Sequence, residues 1–485
     1  MAERVAVPRL SASAFARALH YDRRVITPGI VHLGLGAFSR AHLAVYVDDV
    51  LPSDPRWGIV GVSLKRPDTK AALAPQDDLY TLMVRSGDTA TTRVIGSVVD
   101  VLDAGAERER VLEAMTDPGV RIVSLTITEK GYCRDASGGL DRAHPDIRHD
   151  VSDPAAPVSA PGMIARALEL RRNRGVPPFT VLSCDNLSDN GESTRRVVTE
   201  FAALRGGGLA EFISGEVAFP STMVDRIVPA ITEEDRLVVA AQAGYEDAWP
   251  VVTEPFTQWV VEDRFSAGRP PWETVGVQLV SDVRPFELMK LRMLNGSHST
   301  LAYLGYLAGH EYVSDAIADP VFARLIHGLM TEEAMPSLPQ PAADLKAYRD
   351  ALLVRFANRA LKHRTWQIAM DGSQKLPQRL LGTIRDAHLR GRSARRASLG
   401  VAAWMRYVTG TDERGNAIDV RDPMAAQLKA IADEAAGSPE KLVRGLLGVA
   451  AIFGDLSESQ PFRELLTAQV DGLFSRGARA AAEAV

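Results

Sequence analysis

Ile30-Val31-His32-Leu33-Gly34-Leu35-Gly36-Ala37-Phe38-Ser39 is the stretch on which the fold turns. Its first four residues form a short apolar run, and residues 41–51 beyond the glycines have helical periodicity, so it reads as strand, tight turn and helix. Gly34 and Gly36 permit the turn and let the backbone approach a pyrophosphate at the helix N-terminus. Ser39 replaces the third glycine of such a pattern, and taken alone the pattern also fits a plain structural turn.

The context on either side favours the dinucleotide reading. Further buried-strand candidates follow at residues 59–64, 93–99, 121–128 and 179–186, separated by helical periodicity at 109–115 and 163–172. Strands alternating with helices predict an α/β unit with a mostly parallel sheet, a Rossmann-type dinucleotide-binding domain over residues 1–284. Residues 149–162, HDVSDPAAPVSAPG, are read as a long loop inside it. Past the proline-rich connector at 265–285 the periodicity becomes helical, at 286–309, 344–361, 398–408 and 441–453. Residues 285–485 are therefore expected to form a mainly α-helical domain that binds substrate and carries the catalytic groups.

Composition narrows the class. The 485 residues carry 61 acids against 56 bases, a net charge of −5 with no long single-sign run, which argues against nucleic acid as a partner. Two cysteines, Cys133 and Cys184, are too few for a thiolate zinc site or a disulfide scaffold and fit a reducing compartment. Neither a secretory leader in the opening residues 1–20 nor a run of eighteen apolar residues is found, so a cytoplasmic protein without membrane contact is expected, its oligomeric state open.

Residues 286–298, FELMKLRMLNGSH, hold the densest chemistry. At about 100° per residue, Glu287, Lys290, Asn295 and His298 fall within roughly 140° of one helix face, shared with Leu291 and Leu294. Apolar neighbours would bury the lysine in part and bring its pKa toward the range of a general acid or base. Singly, each is as well explained as a surface lysine, an N-cap-like asparagine or a core histidine; together at a domain junction they suggest a site. No tyrosine precedes a lysine by four residues, and no Cys/His/carboxylate cluster is evident for a catalytic zinc, which leaves Lys290 as the proton donor and acceptor. His310 reads as a helix-end residue. After the strand at 59–64 come Lys65, Arg66 and Asp68; an acid there suits the ribose of NAD and a base the phosphate of NADP, so NAD with Asp68 is preferred and NADP stays open.

IVHLGLGAFSRAH, SLTITEKGYC, SCDNLSDNGES, FPSTMVDRIVP, EPFTQWVVEDRF and MKLRMLNGSHS together resemble the polyol-specific long-chain dehydrogenases over nearly the whole chain. The resemblance implies a metal-independent NAD(P)-dependent oxidoreductase in which Lys290 of K-x-x-x-x-N-x-x-H is the acid/base, Asn295 and His298 complete the motif, and Asn186 helps hold the reacting oxygen. Asp225 is assigned to the substrate, and Phe38 and Arg40 join Gly34, Gly36 and Asp68 at the cofactor. TWQIAMDGSQKLPQRLL and WMRYVTGTDERGNAIDV look closer to the mannonate oxidoreductases than to the mannitol dehydrogenases, which implies D-mannonate and D-fructuronate as the pair. Lys375 and Arg379, read as loop residues, would then bind a carboxylate. A neutral ketose and polyol pair is the alternative substrate, and a non-catalytic dinucleotide sensor the alternative class.

Overall fold

The computed structural model describes residues 7–15, 19–135 and 137–485; residues 1–6 and 16–18 of the opening stretch read for a leader fall outside them. Two compact units divide the chain, Met1–Arg284 and Pro285–Val485.

The first unit contains eleven strands among the described residues: β1 Pro28–Leu33, β2 Gly58–Ser63, β3 Tyr80–Ser86, β4 Thr89–Ile95, β5 Val98–Asp103, β6 Ile122–Leu125, β7 Thr180–Ser183, β8 Thr222–Asp225, β9 Val251–Thr253, β10 Gln258–Glu262 and β11 Gln278–Val280. Five make a parallel sheet in the order β5-β2-β1-β6-β7, the doubly wound arrangement whose strand order reverses between β1 and β6. Both faces are buried, which explains the continuous apolar runs. Val31, Leu33, Val60, Val62, Val123 and Leu125 feed one core, while Ile30, Ile59, Ile122 and Leu182 feed the other. Two three-stranded sheets, β4-β3-β9 and β11-β10-β8, complete the unit.

Three local expectations change. Residues 93–99, read as one strand, divide between β4 of a small sheet and β5 of the main one. The cause is buried Asp48, whose carboxylate takes the Gly96 N–H at 2.9 Å, while the Ser97 hydroxyl donates to the Ala44 carbonyl at 2.7 Å. The presumed loop at 149–162 is helical at its two ends and irregular only at 153–159: the helix Pro145–Ser152 covers its start and the helix Ala160–Asn173 begins at its end. Asp150, fully buried, fastens the short link between them by accepting from the Val158 N–H and from the Ser159 N–H and hydroxyl. The helix after the glycines is broken at His42 (φ −125°, ψ −87°) into Ala37–Ala41 and Leu43–Val50.

The second unit is helical, with no strand among its described residues. Its centre is the helix Gly296–Leu307, almost wholly buried, which packs against Thr365–Ala369 and Arg395–Tyr407. Three π-helical turns interrupt the α-helices, at Lys290–Asn295, Leu329–Ala334 and Pro377–Leu381. Across the described residues no helix is long and apolar enough to cross a membrane.

Candidate active site

In the first unit a cleft of about 260 Å³ opens at the carboxyl ends of the parallel strands, where ligands of such sheets bind. Gly34 and Gly36 form its floor, Lys65, Arg66 and Asp68 after β2 one lip, and Thr126, Thr128 and Lys130 after β6 the other. Gly34 has φ +90°, and a Cβ there would overlap the Thr126 carbonyl oxygen, so a glycine is required both by conformation and by space. Ser39 has a task of its own: its hydroxyl oxygen accepts the Gly36 N–H at 3.1 Å and closes the first turn of the helix. Asp68 is exposed in the cleft and its carboxylate also accepts the Thr69 N–H at 3.0 Å.

Phe38 and Arg40 do not line this cleft. Arg40 is buried, donates to the Trp249 carbonyl and lies 5.1 Å from the Tyr80 ring; burial pulls its pKa down to about 10. Phe38 stacks on His42 at 5.1 Å. Arg40 thus braces the turn from the protein side, while Phe38 stays half-buried beside it.

The far lip is held by a residue that sequence reasoning passed over. Asp185, just beyond β7, accepts the N–H groups of Ile127 at 2.9 Å and Thr128 at 3.0 Å and the Tyr132 hydroxyl at 2.7 Å. Burial raises its pKa, against the lowering by those three donors. Asn190 secures it in turn, its amide donating to the carbonyls of Asp185 and Thr222. Asn186 follows Asp185 and is exposed within the same strand-end segment; Asp225 ends β8 and is buried. The signal available in the sequence was the run Cys184-Asp185-Asn186 at a strand end, of which only the asparagine was singled out.

One further correction concerns metals. Cys133, His144 and Asp146 bring their ligand atoms within 4.8 Å of one another, a Cys/His/carboxylate group that sequence spacing did not reveal. The His144 Nδ1 is engaged as acceptor of the Asp146 N–H at 3.2 Å, capping the helix Pro145–Ser152, and burial pushes the Cys133 thiol up to about 11.

In the second unit, the Lys290–Asn295 segment is not the α-helix from which the common face was drawn. It is one π turn, with hydrogen bonds spanning five residues, so Lys290 and Asn295 stand above one another and His298 follows one α turn later. Lys290 and His298 are buried, Asn295 and Glu287 half-buried. Gly296 allows the Arg379 carbonyl to pass: a Cβ would lie 2.8 Å from that oxygen, and this close approach joins the Lys290 and Arg379 π turns.

Around His298 the charges are cationic. Burial drives its pKa well below the usual value, helped by His363, Arg379, Arg355 and Lys375. Its ring lies 5.4 Å from Phe356 in a stack and 4.7 Å from His363 edge-on. The His298 Nε2 and His363 Nδ1 are buried without a hydrogen-bond partner among the described residues, and burial lowers His363 to about 4. His363 was missed in the sequence because it lies 65 positions from His298, in a connector. Lys375 and Arg379 are not in a loop: they occupy the helix Gly372–Leu376 and the π turn after it. The Lys375 ammonium donates to the Met370 carbonyl at 2.5 Å, and burial with Arg379 nearby brings it down to about 8. Arg379 donates to the Ser299 hydroxyl at 3.1 Å.

Comparison with known proteins completes the picture. The family model of the mannitol dehydrogenase Rossmann domain matches residues 28–274, and that of the mannitol dehydrogenase C-terminal domain residues 282–474. D-mannonate oxidoreductase of Escherichia coli is 48% identical over 95% of this chain and 96% of its own. A mannitol 2-dehydrogenase of Aspergillus fumigatus is 43% identical over 95% of this chain and 94% of its own. The ternary complex of Pseudomonas fluorescens mannitol 2-dehydrogenase with NAD and D-mannitol is 39% identical, covering 98% of this chain and 99% of that one, with a TM-score of 0.85.

Proposed function

From the premise that this chain belongs to the mannitol dehydrogenase family and is an oxidoreductase acting on a secondary alcohol, we propose that it interconverts D-mannonate and D-fructuronate with NAD. The observation that carries the substrate choice is the set of cations about His298, Arg379 and Lys375 foremost, which suits a carboxylate better than a neutral polyol. The cleft fits a dinucleotide, since its floor is the Gly34–Gly36 turn, where the missing side chain of Gly36 leaves the backbone open to a ligand.

The bound dinucleotide supplies or accepts the hydride. The residues of the chain do the rest. In reduction, Asn186 and Asn295 donate hydrogen bonds to the ketone oxygen as charge builds on it, and protonated Lys290 delivers the proton there. Asp225 holds a substrate hydroxyl. His298, kept neutral by burial, orients a neighbouring hydroxyl through its unpartnered Nε2. Glu287, three positions before Lys290, passes the proton toward solvent. In oxidation neutral Lys290 is the base, so this direction gains from alkaline pH.

The pair of substrates decides the reading. With purified protein, NADH consumption is expected to be faster with D-fructuronate than with D-fructose at equal concentration. A preference for fructose would instead assign the neutral pair, as in the mannitol 2-dehydrogenases, and leave the Lys290 chemistry untouched.

A further inference from the structure

His32 and Ser124 are directly paired across β1 and β6, at the point where the strand order reverses, and both are fully buried. The His32 Nδ1 is 2.8 Å from the Ser124 hydroxyl and its Nε2 is 2.8 Å from the Thr126 hydroxyl, which donates to the Gly34 carbonyl at 2.8 Å. These contacts fix every proton. A carbonyl can only accept, so the single Thr126 hydroxyl proton goes to Gly34 and the Thr126 oxygen must accept from Nε2–H. Burial brings the His32 pKa down to about 3, so the ring is neutral, has one N–H, and takes the Ser124 proton at Nδ1.

The chain ends on one peptide. At its other end the Leu35 N–H donates to the Val62 carbonyl at 3.1 Å, so the Gly34–Leu35 peptide is held at both its oxygen and its nitrogen. That restraint matters because Gly34 has no Cβ to resist rotation, and a flipped peptide would turn its carbonyl against that of Val62, lose both hydrogen bonds and distort the turn that floors the cleft. Thr126 lies on the cleft wall, within reach of that ligand's surroundings.

We propose that the Ser124–His32–Thr126 hydrogen-bond chain is the positioning device of the dinucleotide turn: it commits the Gly34 carbonyl to Thr126 and keeps the cleft floor ready for pyrophosphate. His32 and Thr126 are positioning residues, acting through Gly34, and the inference rests on the reading of this cleft as the dinucleotide site.

The test is NADH affinity of the whole protein, measured by quenching of protein fluorescence, for wild type, Thr126→Val and Thr126→Ser, with Tm recorded for each. Thr126→Val keeps the shape and loses the hydroxyl; its Kd is expected to rise about ten-fold, a bond's worth of binding energy. Thr126→Ser keeps the hydroxyl and is expected to bind within about three-fold of wild type. Equal affinity of Thr126→Val and wild type, or equal weakness of the two variants, overturns the proposal. If Thr126→Val does not fold, Ser124→Ala takes its place, and an unchanged Kd there overturns it too. Failure of wild type to bind NADH at all would instead overturn the cleft assignment, and the proposal with it.

Discussion

Lys290 and Arg379 stand on adjoining π turns, and the proposed roles separate them. Lys290→Ala removes the proton donor and is expected to lower kcat by orders of magnitude on either substrate while NADH binding is kept; near-normal turnover would end its assignment as acid/base. Arg379→Ala removes a charged hydrogen-bond donor, a contribution of about 1.5–3 kcal/mol. It is expected to raise KM for D-fructuronate by about ten-fold or more and to change kcat/KM for D-fructose little, and an equal effect on both would remove the carboxylate role. Lys375 adds a pH signature. Its cation, with a pKa of about 8, is present below that pH and lost above it. KM for D-fructuronate should therefore climb between about pH 7 and 9, and a KM flat over that range would free Lys375 from substrate binding.

The π turn at Lys290–Asn295 depends on the small residue that ends it. Gly296→Ala places a methyl 2.8 Å from the Arg379 carbonyl oxygen, and backbone on both sides must part. Overpacking of this kind costs about 1–3 kcal/mol. A lower Tm together with reduced kcat/KM for D-fructuronate is expected, and an unaltered Tm would show that the two turns are not tightly joined. Which elements could be read in the sequence follows from what determines them. β1, β2, β6 and β7 were legible because strands buried on both faces must be apolar throughout, and the glycine turn because Gly34 has no substitute. The split at Gly96 was not, since it depends on Asp48, nearly fifty positions away, taking an amide from the ladder. The π turn was hidden for a related reason: a period of 3.6 was assumed where the backbone has one residue more per turn. Asp185 escaped notice because its partners, Ile127 and Thr128, lie on another loop. Lys290, Asn295 and His298 were legible by motif; His363 became a candidate only when folding brought its ring to His298.

At the scale of the molecule, burial holds the imidazoles of His32, His363 and His298 neutral, at about 3, about 4 and well below the usual value. In the unfolded chain each titrates near about 6.5. Folded values below the unfolded one mean that their contribution to stability is complete above about pH 6.5 and lost as pH falls toward the folded values. Burial raises Asp78 to about 6 and also raises Asp185 and Glu333, which oppose this trend. Between about pH 7.5 and 6 His32, His363 and His298 outweigh these carboxyls, so Tm should fall over that interval; a constant or rising Tm would contradict their neutral burial. The three π turns have a different consequence. Each holds one residue more than an α turn, and all three lie in the helical unit. Deleting one residue from such a turn would leave a helix with its backbone bonds intact and everything downstream rotated by about 100°. In this unit a single-residue deletion is thus felt as a change of phase, with His298 turned away from Lys290, and hardly at all as a change of length.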